Sequence, residues 1–155
     1  ERGAFARNYC RDEFAAQGID FTPVQANIST NSHRLTLRGM HFQSAPYGEA
    51  KLVCCRRGRI FDVAVDLRPS SPTYCQWEGF EISAQNNRSL FIPEGCAHGF
   101  LTLEDDSEVT YLMGAMFAPD NASGVRWNDP AFAIDWPIAP MVISDHDAAY
   151  PDFKA

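Results

Sequence analysis

Alternation with a period of two runs through much of the chain. Over residues 61–67, Phe61, Val63, Val65 and Leu67 fall on one face and Asp62, Ala64 and Asp66 on the other, the pattern of a β-strand with two unlike faces. Similar short segments occur at residues 51–55, Trp77–Ser83, Ser89–Ile92, 98–103 and 108–113, and the turn Pro93-Glu94-Gly95 separates two of them. Helical signals are confined to the ends. Residues 9–17 predict one short helix, with Asn8 as N-cap, Cys10 and Phe14 one turn apart, and Gly18 as its stop. After Ser144 a second short helix is predicted before Pro151, with Ser144 as N-cap and Asp147 at the third helical position. Many short strands punctuated by turns predict an all-β domain, a sandwich or barrel such as a jelly roll.

The chain has 155 residues, enough for one domain that buries roughly 70% of the surface its unfolded form exposes. No repeat, linker or change of composition divides it, so residues 1–155 read as a single domain. It begins at Glu1 rather than methionine, which implies that an upstream piece was removed or trimmed. No apolar run approaches the ~18 residues of a membrane span. The formal net charge is -7, from 13 basic and 20 acidic residues, and the only basic cluster is Arg56-Arg57 with Arg59. That balance argues against nucleic-acid binding. It permits a small anionic ligand only if a few focused cations hold it. Cys10, Cys54, Cys55, Cys75 and Cys96 are odd in number and form no C-x-x-C, which suits reduced thiols in the cytoplasm.

The densest polar segment is Leu37-Arg38-Gly39-Met40-His41-Phe42-Gln43. A bulge at Gly39 would bring Arg38 and His41 to one cavity despite their odd spacing; an edge strand with a surface arginine and a core histidine accounts for them equally well. Lys51 shares a face with Val53 and Cys55, and a strand mouth where it reaches water is the simpler reading. One wet strand face explains Asp62 and Asp66. If that face instead lines a barrel interior, Asp62 becomes a partner for His41 or Lys51. His98 shares a face with Phe100 and Thr102, and Tyr111 needs a partner for its hydroxyl. Helix capping is a complete structural account of Asp147. Metal-binding jelly rolls usually carry His-x-His, but Gln43 stands where the second histidine would be, and His33 and His146 fall in loops. No metal is expected.

Taken in order, these segments resemble the dTDP-4-dehydrorhamnose 3,5-epimerase family. The matching pieces are Glu1-Arg2-Gly3 with Phe5, Val24-Gln25 with Asn27, the 37–43 segment, Lys51-Leu52-Val53, residues 61–68, Ser70-Ser71-Pro72-Thr73, Ile92-Pro93-Glu94-Gly95 with Ala97-His98-Gly99-Phe100, Tyr111, Trp127-Asn128-Asp129-Pro130 and Asp135-Trp136-Pro137. The resemblance implies a double-stranded β-helix (a cupin-type jelly roll) without the family's usual first residues, working as a homodimer with no cofactor. It also implies epimerisation beside the keto group of a nucleotide-diphosphate-linked 4-keto-6-deoxyhexose. By matching position, His41 would be the base, Asp147 its partner, Lys51 the stabiliser of the enolate oxygen, and Tyr111 the acid on the opposite face. Arg38 would hold the diphosphate. Gln25, Asn27, His98, Gln43 and Asp62 would line the substrate site, and Arg2 and Phe5 would reach the nucleotide from the partner subunit.

The chemistry requires such groups. A carbon acid beside a ketone needs a positioned base of near-neutral pKa, a cation aimed at the enolate oxygen acts where charge develops, and inversion needs groups on two opposite walls. Departures fall at the nucleotide end. Arg7 stands where the family has an acidic residue, and Met116 and Phe117 stand where it has tyrosines. An arginine only donates, whereas a carboxylate accepts from thymine N3–H, so a cytidine-linked or other sugar acted on at a single carbon is an alternative expectation. A metal-dependent cupin oxygenase is another. A silent sugar-nucleotide binder would have no use for His41, Lys51, Tyr111 and Asp147 together.

Overall fold

The computed structural model describes residues 2–154; Glu1, which belongs to the first matching motif, lies outside the described residues. Its strands are β1 (Gln25–Asn31), β2 (Leu37–Gln43), β3 (Lys51–Arg57), β4 (Arg59–Asp66), β5 (Trp77–Ser83), β6 (Ser89–Ile92), β7 (Cys96–Thr102), β8 (Ser107–Met113) and β9 (Ala122–Gly124), flanked by short helices α1 (Arg11–Ala16) and α2 (Asp145–Ala148). They form two facing sheets of order β1-β8-β3-β6 and β5-β4-β7-β2-β9 with antiparallel pairing, a jelly roll. Single-residue Gly58 carries the chain from the first sheet to the second with φ +72°, and a Cβ there would lie 2.5 Å from Ser107 Oγ. Only glycine makes this corner.

The core lies in three layers. Between the sheets, Val53, Cys55, Ile60, Phe100 and Val109 are buried together, with Tyr111 packed against them. Outside the second sheet, Val63 and Val65 pack with Phe61 and Leu67 against Val125, Phe132, Ile134, Trp136 and Phe153 of the C-terminal segment. Outside the first sheet, Leu52, Phe91 and Leu112 are covered by Tyr9, Phe14, Ile19 and Phe21. The alternation of residues 61–67 is therefore correct in register, but the wet face expected for Asp62 and Asp66 does not exist. Their face looks into the interior, and both are buried. Both faces of β4 are dry because residues 125–153, which carry little periodicity, shield the outer one.

Asp66 is satisfied locally. It accepts hydrogen bonds from Arg68 N (2.9 Å), Arg68 Nε (2.9 Å), Arg68 Nη2 (2.7 Å), Ser71 Oγ (2.5 Å) and Thr73 Oγ1 (2.7 Å). The Ser-Ser-Pro-Thr motif is thus a cap on a buried carboxylate. Asp129 plays a similar part in the C-terminal segment, accepting from Ala131 N (2.8 Å) and Phe153 N (2.6 Å), while Trp136 Nε1 donates to Trp127 O (2.9 Å). The N-terminal helix begins later than expected. Cys10, not Asn8, is the N-cap and makes no side-chain bond. Tyr9 is drawn into contact with Phe14 and Phe21, and Asn8 Oδ1 is turned instead towards Cys54 Sγ (3.2 Å) and Ser89 Oγ (3.4 Å). The C-terminal helix is capped as expected, Ser144 Oγ accepting from Asp147 N at 3.1 Å.

Candidate active site

A cavity of about 510 Å³ opens between the sheets, lined by Asn27, Arg38, His41, Lys51, His98 and Tyr111 among others. A second lobe of about 440 Å³ shares Asn27, His41, Lys51 and Met113 with it and adds Gln25, Gln43, Glu49, Phe117, His146 and Tyr150. The two lobes meet at His41 and Lys51.

His41 reaches the cavity through the bulge foreseen at Gly39. The β2–β7 register shifts between Arg38 and His41, and Gly39 has φ +128° with its absent Cβ only 2.5 Å from Gly99 Cα. Two glycines facing across adjacent strands thus allow a backbone approach that side chains would forbid. The imidazole Nε2 lies 2.7 Å from Asp147 Oδ1, and Asp147 Oδ2 accepts from Gly39 N at 3.2 Å. The carboxylate that orients the ring also holds the bulge. Burial by itself would push the Asp147 carboxyl up; the hydrogen bond and charge of His41 and the Gly39 N–H outweigh it and hold it below its ordinary value. With Nε2–H donated to the carboxylate, Nδ1 of the neutral ring is the free base.

Tyr111 stands on β8, in the sheet opposite His41. Burial, and then the charge of Asp62, push its phenol well above its usual value, against the smaller opposing effects of Arg38 and Ser29. The phenol therefore stays protonated at neutral pH. Its ring meets His98 edge-on at 6.0 Å.

Lys51 is not at a wet strand mouth. Its side chain is 6% exposed, its Nζ lies 3.1 Å from Glu49 Oε1 and donates to His41 O at 3.2 Å. The ammonium is tolerated inside because a carboxylate and a carbonyl meet it there. Asp62 pairs with neither His41 nor Lys51: its Oδ1 is 2.6 Å from His98 Nε2. The β4–β7 register explains this, since Asp62 stands opposite Phe100 and two rungs from His98, on the same face of the sheet. Asp62 supports the cavity wall from behind rather than lining it. Among the described residues, its Oδ2 is buried without a partner.

Arg38 is anchored by a residue that sequence reasoning missed. Its Nε donates to Asn31 Oδ1 at 2.6 Å, and buried Asn31 in turn donates to Ser107 O at 3.2 Å. Gln43 has both amide ends occupied by the backbone, Nε2 donating to Tyr47 O (2.9 Å) and Met116 O (3.2 Å) and Oε1 accepting from Ala118 N (2.6 Å). It shapes the second lobe by holding the loop over it. Gln25 Nε2 donates to Asn27 Oδ1 at 3.1 Å. Arg2 and Phe5 line neither lobe within one chain, and Phe5 is fully exposed. Arg7 is held by Glu13 at 2.6 Å, both exposed. Glu49, His146 and Tyr150 were also missed; only Glu49 carried a signal, a carboxylate two residues before an inward lysine. Among the described residues no group of three or more His, Cys, Asp or Glu converges as metal ligands would.

A base held by a carboxylate on one sheet, a phenol on the other and a buried ammonium at their junction can remove a proton beside a carbonyl, stabilise the enolate and return a proton from the opposite side. The comparisons with known proteins agree. The family model described as dTDP-4-dehydrorhamnose 3,5-epimerase matches residues 1–155. The dTDP-4-dehydrorhamnose 3,5-epimerase of Methanothermobacter thermautotrophicus is 46% identical over 151 residues, 95% of this chain and 80% of that protein. That of Salmonella typhimurium is 44% identical over 153 residues, 97% of this chain and 83% of that protein. The Bacillus anthracis enzyme, solved with TDP and PPi bound, superposes with a TM-score of 0.95 at 40% identity, covering 99% of this chain and 87% of that one. The Legionella pneumophila enzyme in complex with dTDP-4-keto-L-rhamnose gives 0.89 at 36% identity, with 100% and 88% covered. The chain belongs to the dTDP-4-dehydrorhamnose 3,5-epimerase family.

Proposed function

We propose that this protein epimerises a dTDP-linked 4-keto-6-deoxyhexose at C3 and C5 through an enolate, without a cofactor. The observation that carries the reading is the convergence of His41–Asp147, Lys51 and Tyr111 on one cavity. His41 Nδ1 takes the proton from the carbon next to the ketone, and Asp147 stabilises the imidazolium that forms. The Lys51 ammonium faces the oxygen on which negative charge develops, an interaction that strengthens as the transition state is reached. Tyr111 delivers a proton to the opposite face, and the configuration inverts. Arg38, fixed by Asn31, is the cation for the diphosphate, with Gln25, Asn27 and His98 along the path.

The nucleotide is read as thymidine. The arginine that suggested a cytidine base is engaged by Glu13, and the named relatives are thymidine-sugar enzymes. We read the protein as a cytoplasmic homodimer assembled along β1. Among the described residues that strand pairs with β8 alone, and Val24, Ile28, Met116 and Phe117 are exposed hydrophobics near it. Arg2 and Phe5 then meet the nucleotide of the neighbouring subunit. The test is proton NMR in deuterated solvent with dTDP-4-keto-6-deoxyglucose. Deuterium at C3 and C5 with a changed ring configuration is expected; a substrate recovered without label would refute the reading.

A further inference from the structure

We propose that Glu49 is the positioning residue for Lys51: its carboxylate is the buried counter-charge that fixes where the ammonium sits beside the enolate oxygen. The inference rests on the enolate reading above. An ammonium carries three N–H donors. One is donated to His41 O (3.2 Å), the Glu49 carboxylate stands within ion-pair distance of Nζ at 3.1 Å, and donor capacity remains for the cavity that Lys51 lines. The side chains of Glu49 and Lys51 are 9% and 6% exposed, so water cannot replace the carboxylate as a counter-charge, and a buried cation without one is costly.

The backbone makes the arrangement rigid. Ala50 is buried against Phe21 and Leu52, and its carbonyl accepts from Gly114 N at 2.8 Å, which fixes the chain between the two charged residues. Glu49 precedes the first residue of β3 by two positions, so both side chains leave the same face. The His41 carbonyl that accepts the Lys51 N–H belongs to the residue whose ring is the base, so base and electrophile are set relative to one another through a single backbone group. Glu49 also lines the second lobe beside His41, within the site yet with no step of its own in the reaction.

Glutamine at 49 keeps the acceptor oxygen and removes the charge. The assay is deuterium exchange into dTDP-4-keto-6-deoxyglucose, with rates expressed per dTDP-binding site counted by calorimetry, so that unfolded protein does not enter. Glu49→Gln should lower kcat by about 10- to 100-fold and leave KM within about three-fold, and it should cause no further loss in a Lys51→Gln background. Glu49→Asp, which restores the charge, should recover most of the lost rate. A fall of less than about ten-fold, a loss that adds to that of Lys51→Gln, or a disappearance of dTDP-binding sites in step with activity would each overturn the proposal. Wild-type protein that binds dTDP but exchanges no proton would instead refute the enolate reading.

Discussion

Asp147→Asn isolates the part of the site that the geometry defines most sharply. Both carboxylate oxygens are in use, Oδ1 facing His41 Nε2 at 2.7 Å and Oδ2 accepting from Gly39 N at 3.2 Å. Asparagine offers one acceptor and one donor. If its oxygen faces His41, its NH₂ confronts the Gly39 N–H, and the bulge that delivers His41 loses its partner. If the oxygen faces Gly39, the NH₂ donates to Nε2. The ring proton then moves to Nδ1 and the base is blocked. Either way the imidazolium loses its counter-charge. General-base catalysis is worth roughly 10²–10⁴-fold, and a wrong tautomer at a histidine base costs about 10⁴ in a serine protease triad. We expect exchange to fall by about 10³-fold. The lost charged hydrogen bond at an 8%-exposed side chain should cost about 1–3 kcal/mol of stability. The assay pairs deuterium exchange with dTDP calorimetry: kcat collapses while nucleotide affinity stays within about three-fold. Exchange above about a tenth of the wild-type rate would refute the assignment of Asp147 as the partner that makes His41 a base.

Further expectations follow from the same structure. Tyr111→Phe should leave deuterium exchange on one face intact while slowing or diverting inversion, read from product stereochemistry by NMR; full 3,5-inversion would remove Tyr111 as the acid. Asn31→Ala frees the Arg38 guanidinium and should raise KM by about five-fold, roughly the worth of one hydrogen bond, with kcat almost unchanged; a fall confined to kcat would contradict it. Asp66 is held far below the carboxylate range, first by its Arg68 hydrogen bonds, against the opposing effect of burial, and further by Ser71 and Thr73. Its folded-state pKa is depressed, so its contribution to stability is complete above the unfolded value of about 4 and is lost as pH falls below it. Asp66→Asn should therefore be destabilised at neutral pH, and the gap to wild type should narrow below about pH 4 in chemical denaturation; a gap that widens there would be wrong in sign. Cys54, Cys55 and Cys96 are buried, and burial pushes the Cys55 thiol up to about 11. Only Cys10 and Cys75 should react quickly with a disulfide reagent at pH 8 before denaturant is added.

The strands were legible where alternation was strong. Trp77–Ser83 and Ser89–Ile92 have the predicted bounds, and the glycine at 39 announced the bulge. What failed was the choice of inside. The valines of β4 face a covering of residues 125–153 that has no periodic signal, and the aspartates face the interior, where Asp62 is met by His98 and Asp66 by Arg68, Ser71 and Thr73. β1 could not be read because its more buried face is the polar one, Gln25, Asn27, Ser29 and Asn31, while Ala26, Ile28 and Thr30 are exposed. The His41–Asp147 pair spans 106 positions; family resemblance supplied it, and no local pattern could. Asp62–His98 came from neither local pattern nor resemblance, since the sequence pointed Asp62 to His41 or Lys51; the β4–β7 register brings the two together.

The central claim is that the His41 imidazole removes the proton next to the sugar ketone. His41→Asn keeps a polar group on β2 and removes the base, and solvent-deuterium uptake into dTDP-4-keto-6-deoxyglucose, followed by NMR, reports on that proton alone. The account predicts no uptake above the solvent background in protein that still binds dTDP; uptake at the wild-type rate would contradict it.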